Sequence, residues 1–305
     1  MGAVVIRPIA VVGPTATGKT ALGVELALAF GGEVVNADAM QLYRGMDIGT
    51  AKATEQERRG VPHHLLDVLD VTEAASVAAY QRDARAEIER LLAAGKVPVL
   101  VGGSGLYVQA VLDDLRFPGT DPEVRAGLEE QARRLGTGAL YERLAAADPE
   151  AAAAILPGNT RRIVRALEVI EITGQPFSAN LPKPGEPRYG TVLVGVDRDV
   201  AELDARVDLR VEHMFAAGLV DEVRELEKRG LREGKTASRA LGYQQVLAAF
   251  DEGTDDFTGA AAATAQATRR FVRRQRSWFR RDKRIHWFDG ATEGLTDRVA
   301  SWLAP

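Results

Sequence analysis

The chain contains no cysteine. Disulfides, a thiolate nucleophile and any cysteine-ligated zinc or iron–sulfur centre are therefore excluded. Histidine is also scarce: His63, His64, His213 and His286 are the only four. Two of these are adjacent beside Pro62, a pattern that reads as a packed turn rather than a metal pair. No apolar run approaches the ~20 residues of a membrane span. Arg7 and Pro8 interrupt the first apolar stretch, and a glycine loop follows at once, so the start does not read as a signal peptide. The expectation is a cytoplasmic protein without membrane attachment. At 305 residues, about two domains are expected, or one large domain carrying an insertion.

The overall formal charge is −4, which by itself argues against nucleic-acid binding. Its distribution argues otherwise. Arg269–Arg284 (RRFVRRQRSWFRRDKR) holds nine Lys/Arg and one Asp, a net of +8, and the other 289 residues carry −12 between them. Such a segment suits a polyanion-facing surface, or alternatively a solvated helix paired with acids elsewhere. Phe271, Trp278 and Phe279 interleave with these charges at helical spacing, which favours packing of the helix over base stacking.

Strand and helix patterns alternate in the first third. Apolar runs at Ile6–Val12, Glu33–Asp38, His64–Val71 and Val97–Val101 read as strands, and Ala21–Phe30 and Ala74–Ala94 as helices between them. This order predicts an α/β fold with a parallel sheet flanked by helices. From Asp121 to Thr173 the chain is Ala-, Glu- and Arg-rich without strand signals. Asp121-Pro122 offers an N-cap followed by proline at the first helical position. A proline-rich loop, 175–188, precedes a further strand at Thr191–Val196. Helices are expected at Asp199–Arg229, Ala237–Phe250 and Gly259–Arg281, and a last strand at Arg284–Phe288. The predicted division is a core at 1–117 and 188–305 with a helical insertion domain at 118–187.

Gly13-Pro14-Thr15-Ala16-Thr17-Gly18-Lys19-Thr20 fits G-x-x-x-x-G-K-[ST] between a strand and a helix. Its glycines let successive backbone N–H groups face phosphate oxygens, and the helix adds its positive end. Lys19 would reach the distal phosphates, and the Thr20 hydroxyl could bind Mg²⁺. Asp38 follows the second strand, at the carboxyl edge where such sheets bind ligands. It could bind Mg²⁺ through water, accept a proton from an acceptor substrate, or cap a helix. Gly102-Gly103-Ser104-Gly105 ends the fourth strand at the same edge, and Ser104 could place a hydroxyl near the phosphates or simply shape a turn. Arg206 and Arg210 lie four apart on one helical face, a spacing that reaches a single anion or an exposed salt-bridged row.

Seven segments, in order, resemble the tRNA dimethylallyltransferase (tRNA isopentenyltransferase) family: GPTATGKT, NADAMQLYRGMDIGTAK, VPHHLLD, VGGSGLY, NTRRIVRALEV, ALGYQQ and TRRFVRRQRSWFRR. The resemblance covers nearly the whole chain. It implies a P-loop NTPase-like core with a helical insertion for tRNA. It also implies transfer of a dimethylallyl group from dimethylallyl diphosphate to the N6 amine of an adenosine beside the anticodon, releasing pyrophosphate. On the family pattern Asp38 is the general base, Ser104 hydrogen-bonds at the reacting centre, and Lys19, Arg210 and Mg²⁺ stabilise the leaving diphosphate. The anticodon stem-loop would meet Asp38, Ala39, Met40, Gln41 and Ser104 around a flipped adenine. Further contacts are implied at Arg125, Arg161, Arg162 and Arg165, at Gly242, Tyr243, Gln244 and Gln245, and at Arg269, Arg273 and Arg274.

Three positions depart from the family pattern. Ser104 replaces the usual threonine and keeps the hydroxyl. Ala39 stands where serine is common, and Gln244 where arginine is common. A P-loop small-molecule kinase, a prenyltransferase of free adenine nucleotides and a nucleotide-dependent RNA-binding switch are the alternative readings. The basic segment weighs against the first two, and the convergence of GGSG and Arg210 on one pocket against the third. A monomer is the default expectation, because no apolar stripe is left unassigned.

Overall fold

A computed structural model of the chain describes residues 7–180 and 185–304. In chain order the first elements are β1 (Ile9–Val12), α1 (Lys19–Phe30), β2 (Glu33–Asn36), α2 (Glu55–Arg58), β3 (His63–His64), α3 (Val77–Ala93), β4 (Pro98–Gly102) and α4 (Gly105–Leu112). Four helices follow: α5 (Pro122–Leu135), α6 (Thr137–Ala147), α7 (Pro149–Ala154) and α8 (Thr160–Thr173). The chain then forms β5 (Val192–Asp197), α9 (Val200–Ala216), α10 (Leu219–Lys228), α11 (Tyr243–Asp251), α12 (Thr258–Phe279), β6 (His286–Asp289) and α13 (Leu295–Leu303).

Two compact units emerge: Met1–Leu112 with Glu186–Pro305, and Asp113–Gly185. In the first, six strands form one sheet in the order β3-β2-β4-β1-β5-β6, and every pairing is parallel. Parallel pairing needs a crossover between strands, and the helices supply it. Strand side chains alternate between faces. Ala10 and Val12 therefore enter one apolar layer with Tyr80, Ile88, Leu91 and Val111, while Ile9 and Val11 enter the other with Leu22, Leu26 and Val299. Each fully buried Val or Leu contributes about 1.5–3 kcal/mol. A third apolar cluster joins Tyr43 and Met46 of the loop after β2 to Leu219, Val223 and Leu226 of α10 and Tyr243 and Val246 of α11. The parallel sheet flanked by helices is the α/β architecture expected from the alternating pattern, and it agrees with the P-loop NTPase-like core that the resemblance implies.

The second unit is built from α5–α8 around Leu128, Leu140, Leu144, Ile163 and Leu167. Asp121 caps α5 by accepting from the amides of Glu123 (2.9 Å) and Val124 (3.1 Å), with Pro122 at the first helical position.

Several elements differ from the sequence expectation. The strand expected over His64–Val71 is two residues, His63–His64. Leu65 and Asp67 have φ of 59° and 57°, conformations that end a strand. The helix expected over Ala237–Phe250 begins only at Tyr243, because Gly242 takes φ 90° and a 3₁₀ turn precedes it. The 175–188 loop includes a short 3₁₀ turn at Phe177–Asn180. Ile6 and the middle of that loop, 181–184, lie outside the described residues. The helix Leu295–Leu303 had no counterpart in the sequence reading. Among the described residues no helix is long and apolar enough to cross a membrane.

The carboxyl edge of the sheet is crowded. A Cβ on Gly102 would lie 2.3 Å from the carbonyl carbon and oxygen of Ala37, backbone that cannot swing aside. Gly102→Ala should destabilise the protein by about 1–3 kcal/mol, read as a lower urea midpoint at unchanged slope.

Candidate active site

The loop between β1 and α1 curls at Gly13 (φ 140°) and Gly18 (φ 99°). A Cβ on Gly13 would strike the Val196 carbonyl at 2.1 Å, so β5 runs directly against the loop. The Thr17 hydroxyl donates to the Pro14 carbonyl (3.0 Å), and the Lys19 ammonium donates to the same oxygen. Ala16 sits at φ 68°, a costly conformation for a residue with a Cβ. Arg206 Nε offsets this by donating to the Ala16 carbonyl (2.8 Å), and Arg198 Nε donates to that of Thr17 (3.3 Å). Arg206 thus braces the loop through its Nε, and both Arg206 and Arg210, one turn on, line the cleft.

A cleft of about 890 Å³ opens at this edge. Thr15, Gly18, Lys19, Thr20, Asp38, Gln41, Gly102, Gly103 and Arg210 all line it, together with Lys52 and His213. The Lys19 ammonium is buried, and that burial brings its pKa down to about 7. That value already includes repulsion from Arg210, which also lowers it, and the opposing pull of Asp38. Burial also raises the Asp38 carboxyl above its usual range, against the Met40 amide, Lys19 and Arg210. Arg210 is lowered by burial and supported by Asp38. Lys19, Arg210 and Asp38 thus influence one another across this space, and an added anion would offset the surplus positive charge of the three.

Asp38 is held by its own turn. Asn36 Oδ1 accepts from the Asp38 amide (2.9 Å), and Asp38 Oδ1 accepts from the Met40 amide (2.9 Å). Ser104 Oγ accepts from the amide of Ala39 (3.1 Å), so the GGSG turn is tied to the residue next to Asp38. Gln41 Nε2 donates to the carbonyls of Thr50 (3.1 Å) and Ala51 (3.4 Å), and Met40 packs on the third apolar cluster.

Three residues that sequence reasoning did not single out organise this site. Lys52, with a nearly buried side chain, donates to Asp47 (2.5 Å), Asp67 (2.6 Å) and the Tyr43 carbonyl (3.0 Å). Glu222 of α10 accepts three successive amides, Asp47 (3.1 Å), Ile48 (2.7 Å) and Gly49 (3.2 Å), and the Tyr243 hydroxyl (2.5 Å). Gln275 of α12, 4% exposed, accepts from the Thr15 amide (2.9 Å) and donates to the Gly103 carbonyl (2.9 Å). Glu222 and Gln275 act on backbone atoms more than 170 residues away, which no local residue pattern signals.

Several expected tRNA contacts are also tied into the fold. Tyr243 is 0% exposed and lies over Gly49, where a Cβ would meet its ring at 2.4 Å. Gly242 is buried, and its amide donates to Gln245 Oε1 (2.8 Å). Of this segment Gln244 alone is exposed. Arg269 and Arg273 pair with Asp208 and Asp204 of α9, and Arg276 and Arg280 with Asp197 at the end of β5. Arg270, Arg274, Trp278 and Arg281 form a separate exposed stripe, with Arg274 over the Phe271 ring and Trp278 against Gly105. In the other unit, Arg125 and Arg165 both bind the fully buried Glu168 (2.8 Å each), and Arg165 also donates to the Pro118 carbonyl (2.6 Å). Arg161 and Arg162 stay exposed in the first turn of α8. The two adjacent histidines make packing contacts. His63 Nδ1 meets the Val61 carbonyl (2.8 Å), and His64 lies between Glu33 (2.6 Å) and Glu87 (3.0 Å).

The Lys19 environment gives a pH signature. Its ammonium is required to bind a phosphate anion and is lost as pH rises through about 7 in the free protein. The ratio of wild-type to Lys19→Ala affinity for inorganic pyrophosphate should therefore fall from about pH 6 to about pH 9. Titration calorimetry of both proteins checks this, because the ratio cancels the ligand's own ionisation.

Comparison with known proteins places this geometry. The family model described as IPP transferase matches residues 41–282. A tRNA dimethylallyltransferase of Saccharopolyspora erythraea is 71% identical over 97% of this chain and 96% of its own length. That of Streptomyces avermitilis is 67% identical, with coverages of 95% and 93%. Among solved structures, a tRNA isopentenylpyrophosphate transferase of Bacillus halodurans superposes with a TM-score of 0.71 at 38% identity, covering 97% of this chain and 96% of that one. A eukaryotic dimethylallyltransferase, described as acting on tRNA, gives 0.82 at 26% identity, covering 97% and 77%. The chain belongs to the IPP transferase family of prenyl-transferring enzymes, the tRNA dimethylallyltransferases.

Proposed function

We propose that this chain transfers a dimethylallyl group from dimethylallyl diphosphate to N6 of an adenosine beside the tRNA anticodon. The observation that carries this reading is the single cleft shared by the P-loop, Asp38, the GGSG turn and Arg210. The diphosphate sits on the loop amides, with Lys19 and Arg210 at its oxygens. The allylic C–O bond breaks, and charge gathers on the departing pyrophosphate, which these cations stabilise. The adenine amine forms the new N–C bond and loses a proton to Asp38. Burial makes that carboxylate a stronger base than an exposed one. Ser104 donates to the acceptor base. A P-loop cradle is thereby used to hold a leaving group rather than a phosphoryl in transfer.

Magnesium belongs to the same proposal. Among the described residues no three acidic or histidine side chains converge as a cage. The exposed Thr20 hydroxyl at the start of α1 can supply one oxygen, with diphosphate and water supplying the rest, the arrangement this small cation favours. Bound there, it would neutralise charge on the diphosphate.

The target base must leave its stack to reach this recessed edge, which costs least in a single-stranded loop. The exposed arginines Arg270, Arg274 and Arg281 and the exposed Arg161 and Arg162 are among the described cations open to RNA phosphates. A cytoplasmic monomer acting on the anticodon stem-loop is part of this reading. Neither the kinase nor the free-nucleotide alternative is favoured by the named relatives.

Incubation with Mg²⁺, dimethylallyl diphosphate and unmodified tRNA reading codons that begin with U should yield an adenosine heavier by one C5H8 unit after digestion. Asp38→Ala should lower kcat by about 10²–10⁴-fold and leave tRNA affinity within a few-fold. No mass shift with any tRNA would refute the reading. The α12 arginines should separate by face. Arg270→Glu with Arg274→Glu should weaken tRNA binding and reduce its salt slope by about one unit per lost contact. Arg269→Glu with Arg273→Glu should chiefly lower thermal stability, and binding titrations at several salt concentrations with melting curves distinguish the two pairs.

A further inference from the structure

We propose that Gln275 is a positioning residue that sets the separation between the leaving-group loop and the acceptor loop. The inference rests on the prenyl-transfer reading above and assigns a role within it. Gln275 lies near the C-terminal end of α12, in a segment dense with arginine, yet it is uncharged and 4% exposed. Its two amide atoms serve two different glycine loops. Oε1 accepts from the Thr15 amide in the P-loop, and Nε2 donates to the Gly103 carbonyl after β4, each at 2.9 Å. The fit is close on the far side as well, since a Cβ on Gly103 would lie 2.4 Å from Nε2.

The tie continues from Gly103 to the reacting groups. Ser104 is the next residue, and its hydroxyl accepts from the Ala39 amide beside Asp38. One buried amide thus links the backbone that cradles the diphosphate to the turn that carries the acceptor-side groups. Displacement at the allylic carbon needs the amine and the departing oxygen at a defined separation. A shift of about 1 Å in such an arrangement can cost about 10²-fold in rate. Glutamine meets the demand because it offers a donor and an acceptor at one length. Glutamate lacks the donor, asparagine is one methylene short, and leucine offers neither.

The test uses the full chain with tRNA and dimethylallyl diphosphate, comparing Gln275→Leu and Gln275→Glu with wild type. Both variants should lose about 10- to 100-fold in kcat. KM for both substrates and the Kd for inorganic pyrophosphate should stay within about threefold. Gln275→Glu should regain activity relative to wild type as pH falls, because the protonated carboxyl again donates to Gly103. Gln275→Leu should show no such recovery, and the pH response remains readable if the leucine variant folds poorly. Unchanged kcat with only a lower Tm would overturn the proposal, as would a kcat loss matched by an equal loss of pyrophosphate affinity. Absence of prenylated tRNA with the wild-type protein would instead overturn the activity on which it rests.

Discussion

At the carboxyl ends of β1, β4 and β5, backbones approach until no side chain fits between them. Gly13 faces the Val196 carbonyl, and Gly102 faces Ala37. This contact brings the P-loop, the Asp38 turn and the GGSG turn onto one edge. Parallel strands make it possible, because all of their carboxyl ends point the same way. Strand ends that alternated in direction would scatter these loops over two edges.

Burial then determines the electrostatics. Lys19, Arg210 and Asp38 occupy one recess, and desolvation disfavours the charged form of each. An anion placed beside them would favour the charged form of Lys19, the one of the two cations whose pKa is brought down to about 7. The same burial makes Asp38 more basic. In the proposed reaction, diphosphate binding and proton acceptance would draw on one cause, the burial of this sheet edge.

The loop after β2 depends on distant elements in another way. Glu222 collects three amides from Asp47–Gly49 while Tyr243 covers Gly49, and Lys52 joins Asp47 to Asp67. Much of what the resemblance suggested as RNA-contacting sequence, ALGYQQ in particular, stabilises this loop from beneath. The arginines of α12 divide similarly. One row binds the acids of α9 and β5, and the other remains exposed.

The alternation of apolar runs with amphipathic stretches determined the α/β core, and glycine spacing before Lys19 determined the phosphate loop. These are local properties, since periodicity and turn chemistry act over a few residues. Lys19, Asp38, Ser104 and Arg210 were legible for the same reason, standing in short motifs at predicted strand or helix positions. Tertiary structure alone decided which arginines are free, because a pairing such as Arg273 with Asp204 joins residues far apart in the chain. It also decided that Tyr243 is core, that Arg206 braces Ala16, and that Gln275 spans two loops. Those assignments depend on distances between backbones brought together by the sheet, which a linear pattern of residue types does not encode.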